Sequence, residues 1–565
     1  MLHKLMIAGL AAALTSCGEE PQSEAADLVI LGGTIYTGLD AAPRAEAVAV
    51  TGNRIVFVGT ATEAGKRIGP GTDLIDLEGA FLYPGFTDAH AHLLGLGLRE
   101  LTLNLEGIAS IAELAAVVKA AVEAAEPSEI IYGRGWIETH WPQSRFPNRY
   151  DLDAASPKNP VILRRADGHA LVANSAALTA AGVDRETETP FGGEILKDVD
   201  GVPTGMLIDG AMGLVSRLIS QPDEAEKRRA YIVAGEVYAA YGWTNIHNMS
   251  VDPNDVPIIE ALSDGGGLGI RVYNSVDGNN LESVKALLDG GARRSAAGRI
   301  VTRAIKLYMD GALGSRGAAL LEPYADAETL GLLRAKEEET VPLMIEALRH
   351  GIQVNVHAIG DRGNRLLLDW YETAFSAVPA AERAVAEPRW RDEHTQHLHP
   401  DDLGRFKALG VIPSMQPSHA IGDLHFAPDR LGPERLSGAY AWRALIDSGV
   451  IIAGGSDAPV ERGDPRIEFY AAITRQDLKG FSGPGWHPEQ AVSRAEALKM
   501  FTQWPAFASF AENDLGTIEV GKLADFSAFS LDFMSVDPTE ILSAETVLTV
   551  VDGRIIFRRR PSKDE

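Results

Sequence analysis

Two histidines separated by a single residue are the most specific chemical feature of this sequence. His90 and His92 close the segment Pro84-Gly-Phe-Thr-Asp-Ala-His-Ala-His92, which follows a strand-rich stretch. Side chains two residues apart on a strand point to the same side, so both imidazoles can reach one point. Neutral imidazoles placed in this way bind a divalent cation such as Zn²⁺. The pair predicts a metal site, although a His-x-His pair taken alone is weak evidence for one.

Four further residues with suitable chemistry stand at the carboxyl ends of later strand-like segments. They are Lys306, His357, His394 and Asp457. Enzymes built on parallel β/α barrels carry their active sites at this end of the strands. Each residue also has an ordinary structural explanation, since a single histidine often belongs to the core, a lysine is usually solvated and a strand-end aspartate often caps the next helix. Their joint placement beside the His-x-His pair favours one shared metal site.

Eight strand-like segments that alternate with helical ones would position these residues. The segments are Phe86–His92, Thr244–Asn248, Arg271–Val276, Ile305–Met309, Gln353–Ala358, Asp392–Gln396, Val411–Gln416 and Ile451–Ser456. Helical sequence such as Val341–His350 and Ala439–Ser448 lies between them. The alternation predicts an α/β fold with a TIM-like (β/α)8 barrel over residues 85–512. A long interval, about 100–230, predicts an inserted lid subdomain with a capped helix at Ser110-Ile-Ala-Glu113.

Short apolar runs separated by glycine and asparagine occur at both ends of the chain. Residues 27–84 contain such runs around the Gly52-Asn53 pair, and residues 513–562 contain them again. This pattern is typical of hairpins in a small sheet. We therefore expect the two ends to build one β-sandwich together.

The amino terminus has the features of an export signal. Residues 1–16 hold a short positive start and an apolar run from Leu5 to Leu14, which is too short to span a bilayer as a helix. Cys17, the only cysteine in the chain, follows Leu-Thr-Ser, as in a bacterial lipobox, and residues 17–26 form a polar tether. We expect lipidation at Cys17 and a membrane-anchored lipoprotein on the extracytoplasmic, periplasmic side. An ordinary secretory signal with a chance cysteine is the alternative.

Charge and composition restrict the partners of the protein. The net charge is −26 at pH 7, so nucleic-acid phosphates would be repelled. Outside the amino terminus no apolar run is long enough to cross a membrane, and the anchor is the only expected membrane contact. The net charge says little about the substrate, which is expected to be a small molecule, and the sequence leaves a homodimer open.

Several motifs together resemble the amidohydrolase superfamily, in particular the group with N-substituted formamide deformylase-like and YtcJ-like proteins. The resemblance covers nearly the whole chain after the tether. The motifs are Pro84-Gly-Phe-Thr-Asp-Ala-His-Ala-His92, Asp310-Gly-Ala-Leu-Gly-Ser-Arg-Gly317, His357-Ala-Ile-Gly-Asp-Arg362, Glu393-His-Thr-Gln396, Met415-Gln-Pro-Ser-His419, Gly455-Ser-Asp457 and Gly516-Thr-Ile-Glu-Val-Gly-Lys-Leu-Ala-Asp525. It implies a barrel with a composite β-sandwich, and metal ligation by His90, His92, His357, His394 and Asp457. It also implies Lys306 as a ligand that carbamylation would turn into a bridge between two cations. One or two ions, Zn²⁺ or another divalent transition metal, fit this set.

The expected chemistry is hydrolysis of a carbon–nitrogen bond other than a peptide bond. A cation lowers the pKa of a bound water from 15.7 to about 7, which makes hydroxide available. Asp457 would take the proton and pass it to the departing amine. A linear amide, an N-acyl amine or an N-formyl amine is the expected substrate, and a cyclic amide, carbamate or ester is the alternative. A non-catalytic lipoprotein that only binds a metal or small ligand is a further alternative, although it would not need Asp457.

Other candidate residues have weaker signals. His169, in Arg165-Ala-Asp-Gly-His169, and His419 are candidates for catalysis, each against a purely structural role. Arg316, Trp136 and His247 are candidates for substrate binding. For Arg316 a structural salt bridge is the alternative, and for His247 a hydrogen bond that orients a metal ligand. Trp136 belongs to an aromatic cluster with His140 and Trp141, which would line the pocket or form core. Four other histidines are expected at the surface: His397, His399, His425 and His487.

Overall fold

A computed structural model describes residues 25–139, 141–143, 145–483 and 485–560. The predicted signal peptide, Cys17, most of the tether and His140 lie outside the described residues. Within these ranges, no helix combines the length and the apolar character that crossing a membrane requires.

The first strands contribute to two sheets. β1, β4, β5 and β6 form a four-stranded sheet in the order β5-β4-β1-β6, and the Gly52-Asn53 turn joins β4 to β5 as an antiparallel hairpin. β2, β3 and β7 belong to a second sheet. The bounds are β1 (Leu28–Leu31), β2 (Thr34–Tyr36), β3 (Arg44–Ala45), β4 (Ala47–Thr51), β5 (Arg54–Gly59), α1 (Ala61–Gly65), β6 (Asp73–Asp76) and β7 (Phe81–Pro84).

The first barrel strand is followed by an inserted subdomain. Its six strands form one sheet in the order β13-β14-β12-β11-β10-β9. Ser110 caps α3, because its Oγ accepts the Glu113 N–H at 3.2 Å, while the Glu113 carboxylate accepts the Ala109 N–H rather than that of Ser110. The bounds are β8 (Phe86–Ala91), α2 (Leu93–Leu101), β9 (Leu103–Asn104), α3 (Ile111–Ala124), β10 (Ile131–Trp136), α4 (Arg149–Asp153), β11 (Val161–Arg165), β12 (Ala170–Ala173), α5 (Ser175–Ala181), β13 (Gly193–Lys197), β14 (Pro203–Asp209) and α6 (Gly213–Ser216).

Seven more strands join β8 in a parallel sheet of order β22-β21-β20-β19-β18-β16-β15-β8, with the short β17 paired to β18. The bounds are α7 (Glu224–Tyr241), β15 (Trp243–Val251), α8 (Val256–Asp264), β16 (Arg271–Asp277), α9 (Leu281–Gly290), β17 (Arg293–Arg294), β18 (Ile300–Tyr308), α10 (Glu337–His350), β19 (Gln353–Ala358), α11 (Asp361–Ala377), β20 (Arg391–His394), α12 (Leu403–Leu409), β21 (Ile412–Met415), α13 (Pro417–Asp423), α14 (Ala427–Leu431), α15 (Trp442–Asp447) and β22 (Ala453–Gly454).

Hydrogen bonds at the mouth bring the first and last barrel strands together. The Asp457 N–H donates to the His90 carbonyl at 2.6 Å, and the His92 N–H donates to the Ala458 carbonyl at 2.7 Å. The predicted TIM-like α/β barrel is therefore confirmed as a nearly closed eight-stranded parallel sheet with surrounding helices. The strands end earlier than the sequence suggests at β20 and β22, because His394, Thr395 and Asp457 have positive φ values of 80°, 45° and 59°. Backbone in that region leaves the extended conformation.

The end of the chain completes the second sheet. Its order is β25-β24-β23-β7-β2-β3, so three late strands join three early strands through the pairing of β23 with β7. The two small sheets enclose an apolar core that includes Ile30, Leu82 and Phe526. The bounds of the last elements are α16 (Pro465–Thr474), α17 (Arg494–Met500), α18 (Gln503–Ala508), β23 (Phe526–Phe529), β24 (Thr546–Val551) and β25 (Arg554–Arg558).

Candidate metal and active site

The two histidines of the His-x-His pair lie at the carboxyl end of β8. His90 is the penultimate residue of the strand, and His92 precedes α2. The ring centroids are 5.6 Å apart. His90 is completely buried, whereas the His92 side chain is 30% exposed and borders the cavity. The strand geometry thus brings both imidazoles to one end of the barrel.

Asp457 faces both histidines from the segment after β22. Its Oδ1 is 3.1 Å from His92 Nε2 and 3.5 Å from His90 Nε2. Burial alone would raise the pKa of Asp457, but His90, His92 and His394 hold that pKa well below its usual range. The carboxylate is therefore ionised and is available both to a cation and as a proton acceptor.

His394, at the end of β20, and His419, in α13, approach the other oxygen of Asp457. His394 Nδ1 is 4.0 Å and His419 Nε2 is 3.7 Å from Asp457 Oδ2. His90, His92 and Asp457 form one group of three with potential ligand atoms within 4.8 Å of one another, and His394, His419 and Asp457 form a second group. Because Asp457 belongs to both, the arrangement is compatible with one cation or with two.

Lys306 and His357 lie beside these groups without belonging to them. The His357 ring centroid is 4.6 Å from that of His394, and the Lys306 Nζ is 4.1 Å from the centroid of the Tyr308 ring. Both residues line the same cavity, and both are almost fully buried. His357 Nε2 is 3.6 Å from Asp310 Oδ1. Lys306 and His357 are thus available to a ligand set larger than either group of three.

The atoms that face the centre of the site suit a divalent cation. His90 Nε2 and Asp457 Oδ1 are buried and have no hydrogen-bond partner among the described residues. Buried polar atoms without partners are costly unless a ligand engages them. Burial lowers the pKa of His90 to about 4 and shifts the pKa of His394 well below its usual value. Neutral imidazoles beside a carboxylate form a donor set typical of zinc and similar metals.

Hydrogen bonds at the opposite ring nitrogens fix these imidazoles. His90 Nδ1 donates to Glu393 Oε2 at 2.5 Å, and His92 Nδ1 donates to the Met249 carbonyl at 3.1 Å. His394 Nδ1 donates to Gln416 Oε1 at 2.8 Å. Such bonds set the ring orientation and the tautomer, and in His90 and His92 they leave Nε2 with a free lone pair. Glu393 and Gln416 were not among the residues predicted from the sequence, although both stand within the quoted motifs.

Arg391 and His247 support this arrangement from inside the barrel. Arg391 Nε is 2.7 Å from Glu393 Oε1, and its Nη1 is 2.7 Å from His247 Nδ1. His247 is fully buried and does not border the cavity. The predicted substrate contact of His247 is therefore wrong, because the ring faces Arg391. Contacts through Arg391 and Glu393 connect it to His90.

A second carboxylate, Asp88, ties the first and last strands together. Its Oδ1 accepts the N–H groups of His90 at 3.1 Å and Ser456 at 2.9 Å. Its Oδ2 accepts the hydroxyl of Tyr238 at 2.9 Å. Asp88 thereby positions the backbone of a predicted ligand and the segment that carries Asp457. Its place two residues before His90 is the signal by which the sequence could have identified it.

A cavity of about 1100 Å³ opens above these residues, between the barrel mouth and the insertion. His169, on the insertion, borders the cavity, and its Nδ1 is 2.7 Å from Asp209 Oδ1. Its ring centroid is 6.1 Å from that of His357. His169 is therefore in place to contact a substrate, and His419 borders the same space.

Two predicted substrate contacts are not compatible with their positions. Trp136 is fully buried in the core of the insertion, where it packs on Trp141 and donates its Nε1–H to the Leu163 carbonyl. Arg316 does not border the cavity and forms a two-point ion pair with Asp326. Both residues therefore have the structural roles that the sequence left as alternatives.

The four histidines expected at the surface are not equivalent. His399 and His487 are partly exposed, whereas His425 borders the cavity, with its Nε2 3.1 Å from Asp477. His397 is buried against the Tyr440 ring, and burial lowers its pKa to about 3. The expectation was wrong for His397, because the residues after β20 turn into the core.

Known proteins share this fold and nearly the full length of the chain. The chain is 31% identical to the protein YtcJ of Bacillus subtilis, over 94% of this chain and 99% of that protein. It is 27% identical to the N-substituted formamide deformylase of Arthrobacter pascens, over 95% and 99%. A crystal structure of an uncharacterized metal-dependent hydrolase from Pyrococcus horikoshii superimposes with a TM-score of 0.72 and 26% identity, over 90% and 99%.

Residues 73–557 match the family described as the amidohydrolase family. This range includes all of the barrel and every residue of the candidate metal and active site described above. The comparisons support a hydrolase that acts on small molecules. The chain belongs to the amidohydrolase family.

Proposed function

We propose that the protein is a metal-dependent hydrolase of carbon–nitrogen bonds other than peptide bonds, with a linear amide, an N-acyl amine or an N-formyl amine as substrate. The observation that carries the proposal is the position of Asp457, whose two carboxylate oxygens face two groups of histidines below one cavity. The similarity to an N-substituted formamide deformylase supports the choice of substrate class.

The residues that would hold the metal are His90, His92, His357, His394 and Asp457, with Lys306 as a bridging ligand after carbamylation. A divalent cation such as Zn²⁺ would supply Lewis acidity for the carbonyl group and a water with a lowered pKa. Carbamylation converts an amine into a carboxylate-like group, which suits such cations better than a protonated lysine does. The mass of a Lys306 peptide obtained under native conditions tests this modification.

Asp457 and the cavity histidines would manage the protons of the reaction. Water adds to the carbonyl carbon, the carbon–nitrogen bond breaks, and the products are a carboxylic acid and an amine. Asp457 accepts a proton from the attacking water and returns it to the nitrogen of the departing amine. His419, whose buried Nε2 has no hydrogen-bond partner among the described residues, would donate to the carbonyl oxygen. His169 would orient the substrate from the insertion.

Other carbonyl substrates are the second candidate. Cyclic amides, carbamates and esters present the same electrophilic carbon to the same groups, and a cavity of about 1100 Å³ has room for them. A binding protein without catalysis is the third candidate. The buried, ionised Asp457 at the centre of the site speaks against it, because a scaffold that only binds has no use for a proton acceptor.

A substrate screen on protein of known metal content tests this proposal. Metal-free protein and protein loaded with Zn²⁺, Mn²⁺ or Co²⁺ are incubated with N-formyl and N-acetyl amines, a lactam, a carbamate and an ester. We expect release of a primary amine from the linear amides, and only in the metal-loaded samples. Faster cleavage of the lactam, carbamate or ester would favour the second candidate. Absence of any product with every metal would contradict both.

A further inference from the structure

Two arginines stand side by side on the insertion sheet. Arg134 on β10 and Arg164 on β11 are direct partners in the register of these parallel strands. Partner residues project from the same face of a sheet, and like charges in this position repel one another. Both side chains border the large cavity rather than the core of the insertion. The pair therefore needs a compensating negative charge on the cavity side.

No carboxylate among the described residues lies within ion-pair distance of either guanidinium. The next arginine along β11, Arg165, is different, since it pairs with Glu138 at 2.8 Å and also contacts Asp167. Carboxylates of the chain thus neutralise Arg165, the arginine that supports the fold. The two cavity-facing arginines have no partner of opposite charge among the residues that the structure describes.

Within the described residues, most donors of the two guanidinium groups have no hydrogen-bond partner. Arg134 Nη2 donates to the Ala166 carbonyl at 3.0 Å, and Arg164 donates to the Gly168 carbonyl from Nε at 3.2 Å and from Nη2 at 2.9 Å. Arg134 Nε is buried without a hydrogen-bond partner in the described part of the chain. Burial and the neighbouring Arg164 lower the pKa of Arg134 to about 10, so it remains charged at neutral pH. A buried charged donor without a partner is costly unless a ligand binds it.

Gly168 lies next to both arginines. A Cβ at this position would lie 3.5 Å from the Nη2 atoms of both Arg134 and Arg164. Gly168 has a φ of +74° and directly precedes His169, which reaches toward the active site. The two guanidinium groups therefore border the same small space at the insertion side of the cavity. Asp457 lies at the barrel side of this cavity.

We propose that Arg134 and Arg164 form a carboxylate-binding subsite, and that the preferred substrates are amides with a carboxylate remote from the scissile bond. The guanidinium fork matches the two oxygens of a carboxylate, and the resulting charge-assisted hydrogen bonds are strong. The inference rests on the proposed function in one respect: the molecule whose carboxylate binds the arginines is also the amide that is cleaved. The binding of the acid can be tested separately.

A series of matched amides tests the subsite and measures its distance from the reaction centre. The acids are N-acetyl derivatives of glycine, β-alanine, 4-aminobutyrate and 6-aminohexanoate, and the controls are N-alkyl acetamides of equal length. For the best-fitting acid we expect a kcat/KM at least about tenfold above that of its uncharged control, as a charged hydrogen bond provides. In Arg134→Gln and Arg164→Gln this preference should fall by about tenfold or more, with the uncharged amides changed less than about twofold.

Arg145→Gln is the matched control, because Arg145 is an exposed arginine of the insertion that does not border the cavity. It should keep the preference for acids, and circular dichroism with thermal unfolding verifies the fold of each variant. Loss of activity toward acids and uncharged amides alike in both arginine variants would instead assign the pair to a structural role and overturn the subsite. Equal kcat/KM values for acids and controls in the wild-type enzyme would do the same.

Calorimetric titration of the metal-loaded protein with the same acids separates the two proposals. If no amide is cleaved but an acid binds and Arg164→Gln weakens this binding about tenfold, the subsite stands and the proposed function is wrong. If amides are cleaved but no acid binds more tightly than its uncharged control, the proposed function stands and the subsite is wrong.

Discussion

At the residue scale, the hydrogen bond at one ring nitrogen of a histidine determines whether the other ring nitrogen can bind a metal. Glu393, the Met249 carbonyl and Gln416 each accept an Nδ1–H from a different histidine of the site. In His90 and His92 these bonds select the tautomer with a free Nε2 lone pair. The affinity of the site for a cation should therefore depend on residues that never touch it.

Gln416→Leu tests this dependence. The change removes the acceptor for His394 Nδ1, so the ring loses its fixed orientation and the affinity for the metal should fall about 10- to 100-fold. Competition with a chelator of known affinity measures the effect. Gln353→Leu is the matched control. Gln353 is a buried glutamine at the first position of β19, at the end of the strand away from His357, and it binds Tyr273 and two backbone carbonyls. It should lower the melting temperature without a change in metal affinity, and an equal loss of affinity in both variants would contradict the account.

At the scale of elements, a buried ion pair joins the barrel to the β-sandwich. Arg271, the first residue of β16, donates to Asp525 from Nε at 2.6 Å and from Nη2 at 3.0 Å, and it also contacts Asp552. Asp525 immediately precedes β23, and Asp552 lies in the turn between β24 and β25. Removal of one member of a buried pair leaves uncompensated charge and costs about 3–5 kcal/mol.

Arg271→Met should accordingly lower the apparent melting temperature by several degrees, since two carboxylates would remain buried without their partner. Differential scanning calorimetry at one fixed scan rate measures the shift. Arg293→Met is the control, because Arg293 forms an exposed pair with Glu260 that is worth about 0–1 kcal/mol. A shift no larger than that of the control would show that the pair does not hold the two parts together.

The elements that the sequence predicts well are those with a strong local pattern. The segment Gln353–Ala358 alternates polar and apolar residues and is a buried barrel strand with the same bounds. The last strand was predicted as Ile451–Ser456, but only Ala453–Gly454 pairs with its neighbour. The reason is the left-handed backbone at Asp457, which long-range hydrogen bonds to Asp88 and His90 stabilise. Such contacts have no local signal.

The site residues also divide into those that their position in the sequence predicts and those that depend on long-range contacts. His90, His92, His394 and Asp457 converge as their strand positions predict. Trp136 could not be assigned from the sequence, because an aromatic core and a solvated pocket have the same residue composition. Arg316 could not be assigned either, because its partner Asp326 is recognisable only in three dimensions. The role of His247 likewise depends on Arg391, which is 144 residues away.

At the scale of the whole molecule, the chain combines a strongly acidic surface with an amino terminus typical of export. The net charge is −26, and Cys17 is the only cysteine, so no internal disulfide contributes to stability. We propose that Cys17 is lipidated and anchors the enzyme on the extracytoplasmic side of a membrane. Two or more acyl chains on one residue are sufficient for stable attachment.

Metabolic labelling with palmitate tests this anchor. The wild-type chain should incorporate label and sediment with membranes, whereas Cys17→Ser should incorporate none. Ser16→Ala is the control, because it keeps a small residue before the cysteine and should remain labelled. Absence of label in the wild-type chain, or equal labelling of the cysteine variant, would assign residues 1–16 to an ordinary secretory signal or to another role.

The most direct test of the central claim is the turnover of Asp457→Asn at measured metal content. If Asp457 transfers the proton, its turnover of the best linear amide should fall about 10²- to 10⁴-fold while the histidines retain the metal. Asp423→Asn, a carboxylate that borders the same cavity and accepts a hydrogen bond from Tyr440, should retain turnover within about tenfold of the wild type. Undiminished turnover of Asp457→Asn at full metal occupancy would contradict the account.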